Sequence, residues 1–479
     1  MARVIEKPSV VARLEAIVGP GNVLWEPYDL RLYEYDGSID KARPDAVVLP
    51  TSAEQVAAIV RLCNAEGVPF TARGAGTGLS GGSVPEEGGV VLSFAKMNRI
   101  LEIDLENLRA VVEPGVVNLH LTNAVQRYGL HFVPDPSSQK ACTIGGNVGE
   151  NSGGPHTLRY GVTTNHVVGL EVVLPNGEIV HTGGKALDAP GYDLTGLLVG
   201  SEGTLGIVTK AIVKLTPIAE GVKTLLGVFD TVEDASNTVS SVIARGIVPA
   251  ALEMMDNLAI QAVERATNAG YPLDAGAVLL IEVEGLQEEL DDLAELMAAA
   301  CRENRAREVR VARTAKEREL LWKGRKNAFG AMGRLSPDYY TMDGVIPRTR
   351  LPEVLAQIAA IGQRYAIPIA NVFHAGDGNL HPLLLFDAKE PGRIEQVREA
   401  GNEILAVCAR VGGSLSGEHG IGIEKRDQMP YIFGEADLAT MREVKEVFDP
   451  EGRCNPGKIF PTPGGCAKMH PRLNMAIGW

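Results

Sequence analysis

Strand-sized apolar runs, broken by glycine and proline, set the pattern of residues 45–220. Asp45–Pro50 reads as one strand and Val68–Arg73 as the next. Between them, Thr51 and Glu54 have capping-box spacing and Gly67 is a stop, so a helix is predicted to join the strands. Leu170–Val180 predicts a hairpin that turns at Asn176-Gly177.

Residues 222–313 follow another rhythm. Strand Val222–Phe229 and helix Val232–Arg245 lead to a strand around Ala250–Met255 and an inserted helix. Strand Ala277–Val283, helix Leu286–Glu303 and strand Glu308–Arg313 follow. The order β-α-β-β-α-β is that of a ferredoxin-like layer. A further helix starts at Thr314, with Glu317 spaced to complete its capping box. Glycine punctuation returns over about 412–461. The pattern predicts an α+β protein with a helical lead-in (1–40), a glycine-rich domain (41–220) and a second domain (221–411). A closing segment (412–479) returns to the first domain.

The chain has 479 residues, too many for one core, so several domains are expected. Its apolar stretches, such as Ala277–Ile281, fall far short of the roughly 20 residues a spanning helix needs. The N-terminal residues lack the apolar region of a secretory signal. A protein either cytoplasmic or attached peripherally to the inner face of a membrane is expected. The net charge of −14 argues against a nucleic-acid partner, which would call for clustered Lys and Arg. It leaves room for a small anionic substrate, because one buried Arg outweighs a diffuse field. The six cysteines (63, 142, 301, 408, 454, 466) contain no Cys-x-x-Cys pair, so no iron–sulfur cluster or zinc ribbon is predicted within this chain.

Three glycine-rich segments carry the candidate chemistry. Arg73–Gly82 (Arg-Gly-Ala-Gly-Thr-Gly-Leu-Ser-Gly-Gly) would aim backbone N–H groups at an anion. Gly76-x-Gly78-x-x-Gly81 matches the dinucleotide fingerprint by letter, but Ser83-Val-Pro85 follows where that motif opens a helix. Taken alone, this loop also reads as a surface turn. Pro134–Ser138 leads into Thr143–Gly154, and Gly200–Ile207 is the third segment. Three such segments interleaved with strands suit an extended cofactor whose pyrophosphate, ribityl chain and ring each need close backbone contact.

Together these segments resemble the FAD domain of the vanillyl-alcohol-oxidase (p-cresol methylhydroxylase) type, as found in D-lactate, D-2-hydroxyglutarate and glycolate dehydrogenases. Leu252–Asn257, Gly324–Phe329, Ser336–Tyr340 and Asn371–Pro382 extend the resemblance over nearly the whole chain. They bring it nearest to the D-subunit type of the bacterial glycolate dehydrogenases (glycolate oxidases). The resemblance implies a two-part FAD domain with a substrate (cap) domain inserted. It also implies partners, namely a second FAD-type subunit and an iron–sulfur subunit. FAD contacts are implied at Pro50, Arg73, Gly74, Ala75, Gly76, Thr77, Gly78, Leu79, Gly81, Pro134, Asp135, Ser138, Thr143, Gly145, Gly146, Asn147, Gly149, Asn151, Ser152, Gly161, Glu202, Gly203, Gly206, Ile207 and Asn455. Some members of the wider family attach flavin through a histidine in the first loop. Here Thr77 stands in a loop without histidine, and non-covalent FAD is expected.

Oxidising a 2-hydroxy acid needs a cation for the carboxylate, a base for the hydroxyl proton and a hydride acceptor. Histidine is scarce, at nine in the chain, so its clusters carry information. His374 and His381 bracket Gly376 and Gly378, which permit a turn bringing both rings to one point; Glu418 and His419 sit between Gly417 and Gly420. From the residues alone, a divalent site and a hydrogen-bonded histidine pair are both open, with zinc or manganese the fitting ions. The resemblance implies His374, His381 and Glu418 as ligands and His419 as base. Arg325 is the candidate carboxylate clamp, on the helix from Thr314 with Trp322 at i−3 and Phe329 at i+4. An exposed Arg beside an anchoring Trp is the plainer alternative. Arg348 is a second choice, and Tyr339 and Tyr340 fit a pocket wall or a core equally well. Some 2-hydroxyglutarate enzymes carry a substrate-binding asparagine where this chain has Leu383, which disfavours a second substrate carboxylate. Glycolate to glyoxylate is therefore the expected reaction. The alternatives are a stand-alone D-lactate or D-2-hydroxyglutarate dehydrogenase and a non-catalytic flavin-binding scaffold subunit.

Overall fold

The computed structural model describes residues 9–186 and 190–462; Met1–Lys7 and Cys466 fall outside this range. Residues 9–152, 162–217 and 418–462, as far as described, form one compact unit, and 153–161 with 218–417 form another.

The first unit holds two larger sheets, besides the short pair Leu130–His131 and Thr216–Pro217. In one, strands Ala46–Val48 and Phe70–Arg73 both pair parallel with Val90–Ser93 between them, and Val23–Leu24 closes the far edge. Ala46–Val48 and Val90–Ser93 are buried at every position, as expected of parallel strands covered on both faces. The joining helix is Ala53–Glu66, and Gly67 ends it in the left-handed region (φ 67°). Its cap lies one residue later than the sequence predicts. Ser52, in extended conformation, accepts from Gln55 N–H at 3.3 Å, and Gln55 Oε1 accepts from Thr51 N–H at 2.8 Å. The cap is thus Ser52, with Gln55 reaching back to Thr51 one residue before it, rather than Thr51 boxed with Glu54. The other sheet is antiparallel, in the order Ile100–Asp104, Arg109–Val112, Ile207–Lys214, Val167–Val173, Ile179–Gly183. Gly177 at φ 84° makes the predicted hairpin turn between the last two.

The second unit is built on one seven-stranded antiparallel sheet. Four of its strands run in the order Glu308–Val311, Gly221–Phe229, Ala277–Gly285, Ala251–Asp256. They are the β-α-β-β-α-β unit, with helices Val232–Ala244 and Leu290–Glu303 as its crossovers and Asn257–Thr267 inserted. The second crossover starts at Leu290 rather than Leu286, whose side chain is exposed in the turn before it. Ile369–His374, Pro382–Phe386 and Asp338–Thr341 extend the sheet beyond Ala251–Asp256. The helix capped by Thr314 runs only to Lys326. Its cap accepts from Glu317 N–H, while Glu317 reaches back to Arg313 N–H, one residue before the cap. The chain bends at Asn327, so Phe329 lies on a separate short helix, Ala328–Ala331, where its ring meets that of His381 edge to face with centroids 5.9 Å apart.

Candidate functional site

In the first unit the three glycine segments meet. The loop from Gly74 to Gly82 contains no helix, and Gly76 (φ 69°) and Gly81 (φ 78°) take left-handed conformations. A Cβ at Gly74 would stand 2.5 Å from Thr143 Oγ1 in the second segment, and one at Gly82 would collide with the Glu150 carboxylate. Thr143 caps the helix Ile144–Glu150, and a Cβ at Gly145 would stand 2.5 Å from Pro114 Cβ. The third segment joins through Gly200 N–H on Val148 O and Glu202 N–H on Gly149 O, each 2.8 Å. Asn455 Nδ2 then donates to Gly82 O (2.9 Å) and Glu202 O (2.6 Å), tying the first segment to the third. The close approach of main chain to main chain across these glycines fits an extended dinucleotide such as FAD. Of the expected FAD contacts, Gly161 alone belongs to the 153–161 stretch grouped with the second unit.

Charged groups underlie this cradle. Burial raises the carboxyl pKa values of Asp36, Glu150 and Glu202, and it pushes the Lys458 ammonium down to about 8. Burial also lowers Arg73, which donates to Ser83 Oγ at 3.3 Å. Glu202 is more than a cofactor candidate. Its two oxygens accept from Ile421 and Gly422 N–H at 2.7 Å each, which fixes the turn carrying Glu418 and His419. Within that turn His419 Nε2 stands 4.0 Å from Glu418 Oε1.

In the second unit the chemistry rests on one sheet face. Asn371 pairs with Pro382, so His374 and His381 are diagonal neighbours on the same face. The turn between them needs Gly378 at φ 81°, where a Cβ would strike Ile346 O. The two rings meet edge to face with centroids 5.2 Å apart. Glu253, directly across from His374, accepts from its Nδ1 at 2.8 Å and pairs through Oε2 with Arg325 Nη2 at 2.6 Å. Behind His381, Nδ1 is 3.3 Å from Met342 O and 3.8 Å from Asp343. A carboxylate behind His374 and a backbone carbonyl behind His381 are the kinds of partner that orient metal-binding histidines. With Nδ1 of His374 engaged, Nε2 is the nitrogen a metal would take, and the donor set fits zinc or manganese.

Helix Ala315–Lys326 covers this face with Arg318, Trp322 and Arg325, spaced i, i+4, i+7. Arg318 and Trp322 donate to Glu282, with Arg318 Nε and Nη2 at 2.9 Å and Trp322 Nε1 at 2.6 Å. Thr224 donates to the same carboxylate at 2.6 Å, and the Glu282 carboxyl is held well below its usual pKa range, despite burial, by His156, Arg318 and Thr224. Arg325 is only 1% exposed. Its Nε and Nη2 are both buried without a hydrogen-bond acceptor of ordinary geometry among the described residues, Nη2 meeting Glu253 as an ion pair.

Two family descriptions fit the chain, "FAD binding domain" over residues 44–183 and "FAD linked oxidases, C-terminal domain" over 218–459. A glycolate oxidase subunit GlcD of Escherichia coli (strain K12) is 49% identical over 466 residues, 97% of this chain and 93% of that one. Another GlcD, from Bacillus subtilis, is 43% identical over 94% of this chain and 96% of its own length. A D-lactate dehydrogenase of Anaerostipes hadrus is 37% identical over 88% of this chain and 90% of its own. The chain belongs to the FAD-linked oxidases.

Solved structures agree on the fold of this FAD-linked oxidase. p-Cresol methylhydroxylase superposes with a TM-score of 0.79 at 20% identity, over 94% of this chain and 96% of that one. The 4-ethylphenol oxidase of Gulosibacter chungangensis gives 0.78 at 19%, over 94% and 97%. The chain is an FAD-dependent oxidoreductase of the expected fold type. Sequence reasoning missed Glu253, Glu282 and Arg318. The one signal available for the two carboxylates was a glutamate set between apolar neighbours, Glu253 in Ala251–Asp256 and Glu282 in Ala277–Gly285. Burial pushes the thiols of Cys63, Cys301, Cys408 and Cys454 up to about 12, so they stay protonated at neutral pH.

Proposed function

We propose that this FAD-linked oxidase oxidises glycolate to glyoxylate and passes the electrons to a partner iron–sulfur subunit. The observation that carries the reading is Arg325 Nε, a buried donor without an acceptor among the described residues, on the face that carries His374 and His381. A buried N–H without a partner is costly, and a substrate carboxylate would supply the acceptor. Bound FAD would supply the hydride acceptor, and a divalent ion, which His374, His381 and Glu418 would hold, would supply the Lewis acidity that eases loss of the hydroxyl proton. Arg325 holds the carboxylate and turns the Cα hydrogen toward the oxidant. His419 takes the hydroxyl proton. Glu418 follows Gly417, whose N–H donates to Asp343 Oδ2 at 3.1 Å in the second unit. The names of the GlcD relatives, which are subunits, support the partner.

D-Lactate is the second reading, favoured by the relatives named D-lactate dehydrogenase. The test is anaerobic mixing of the FAD-loaded protein with glycolate, D-lactate or D-2-hydroxyglutarate while flavin absorbance is followed. Glycolate should bleach the flavin fastest. Bleaching by D-lactate alone would transfer the assignment, and bleaching by none would end it.

A further inference from the structure

We propose that Glu253 is the positioning residue that sets Arg325 and His374 relative to one another, so that one carboxylate aligns both the substrate clamp and the histidine pair. The inference rests on the roles proposed above for those two residues.

Glu253 is the one charged side chain facing the core in the middle of Ala251–Asp256, flanked by buried Leu252, Met254 and Met255. A carboxylate there is costly unless each oxygen is engaged. Its own side chain and that of Arg325 are 1% exposed, and that of His374 is 5% exposed. Oε2 meets Arg325 Nη2 at 2.6 Å, and Oε1 meets His374 Nδ1 at 2.8 Å. The strand register places His374 straight across from Glu253, so the ring contact is set by pairing. Arg325 comes from a helix laid over the face and has no such constraint. The carboxylate fixes its height above the sheet and leaves Nε to other acceptors. The same carboxylate draws the imidazole proton onto Nδ1 and presents Nε2 as the ligand.

Glu282 provides an internal control. It lies on the same sheet, is equally buried and also binds an arginine of the same helix. Its partners His156, Arg318, Trp322 and Thr224 have no proposed part in the reaction. A purely structural carboxylate predicts that Glu253→Gln and Glu282→Gln behave alike.

The experiment compares the FAD-loaded parent with Glu253→Gln, Glu253→Asp and Glu282→Gln. Read are flavin content, melting temperature, bound zinc and manganese, kcat and KM, and the Kd for oxalate as an inert carboxylate followed by perturbation of the flavin spectrum. Glu253→Gln should keep its flavin yet raise KM and the oxalate Kd at least tenfold and lower kcat/KM about a hundredfold. Glu253→Asp, which keeps the charge, should recover part of the loss, and Glu282→Gln should melt earlier with KM unchanged. If Glu253→Gln keeps KM and oxalate Kd within twofold of the parent, or changes them no more than Glu282→Gln does, the inference is overturned. If the parent itself oxidises neither glycolate nor D-lactate, it falls together with the proposed function; normal parent turnover with a normal Glu253→Gln removes the inference alone.

Discussion

The glycine cradle of the first unit and the charged row of the second are built from different parts of the chain. The cradle is main chain, drawn close by Gly74, Gly82 and Gly145, where an added Cβ would meet a neighbouring segment. The row is side chains, with Glu253, His374, His381, Arg318, Trp322 and Arg325 held by strand register and one helix face. A main-chain site tolerates side-chain changes that spare its glycines. A side-chain site tolerates main-chain shifts only so far as the register holds. The two should therefore fail differently when disturbed.

The largest separation should come from His419→Ala. If His419 is the base, kcat for glycolate falls about a thousandfold, a loss near 4 kcal/mol, while flavin content stays at the parent level. Steady-state rates and the ratio of flavin to protein absorbance are the measurements. A drop in rate matched by loss of flavin would put His419 on the cradle's side of the comparison and remove it as base.

A pair of glycine substitutions sharpens the contrast. Gly145→Ala places a methyl 2.5 Å from Pro114 Cβ and 3.0 Å from Pro114 O, so the second glycine segment must move. FAD retention should fall, and added FAD should restore the rate. Gly378→Ala combines a φ of 81° with a collision against Ile346 O, both inside the turn that brings the two histidines together. Here flavin should be retained while kcat/KM drops roughly a hundredfold, with no rescue by added FAD. The same rescue pattern for both variants would erase the distinction.

The contrast also decides how much could be read from the sequence. A main-chain site demands glycine, and glycine is visible, so Arg73–Gly82, Thr143–Gly154 and Gly200–Ile207 were legible as one binding feature before any fold was known. The ferredoxin-like order was legible because three of its four strands are mostly apolar, all are strand-sized, and each crossover has helical length. Glu253 was not legible, because its importance lies in a pairing with His374 across 121 residues of sequence separation. Arg325 was picked out by its aromatic neighbours, but Phe329 lies beyond the bend at Asn327 with its ring on His381, and it is Glu253 that Arg325 touches. The shift of the cap from Thr51 to Ser52 has a simpler cause. Adjacent hydroxyls with Glu54 and Gln55 behind them allow two registers, and the backbone chooses one.

The smallest expected effect concerns buried charge and shows only as pH changes. In the first unit, burial holds the Lys458 pKa near 8 against an ordinary 10.5, with Nζ donating to Val84 O at 2.8 Å. The folded protein thus binds that proton more weakly than the unfolded chain does. Its charged form costs stability below pH 8, and the cost is relieved as pH rises from about 8 to 10.5, by at most about 3 kcal/mol. In the second unit, Glu282 is shifted the other way. Its folded carboxyl is held down, against burial, by His156, Arg318 and Thr224, so its contribution is complete above the ordinary carboxylate pKa and is lost as pH falls below it. Denaturant melts of the parent, Lys458→Met and Glu282→Gln across pH 3 to 10.5 resolve both. The parent should gain on Lys458→Met only at the alkaline end and lose its advantage over Glu282→Gln only at the acid end. A parent that gains nothing on Lys458→Met between pH 8 and 10.5 would mean that the lysine is solvated in solution, and the cradle would then have to be more open to water than its packed glycines allow.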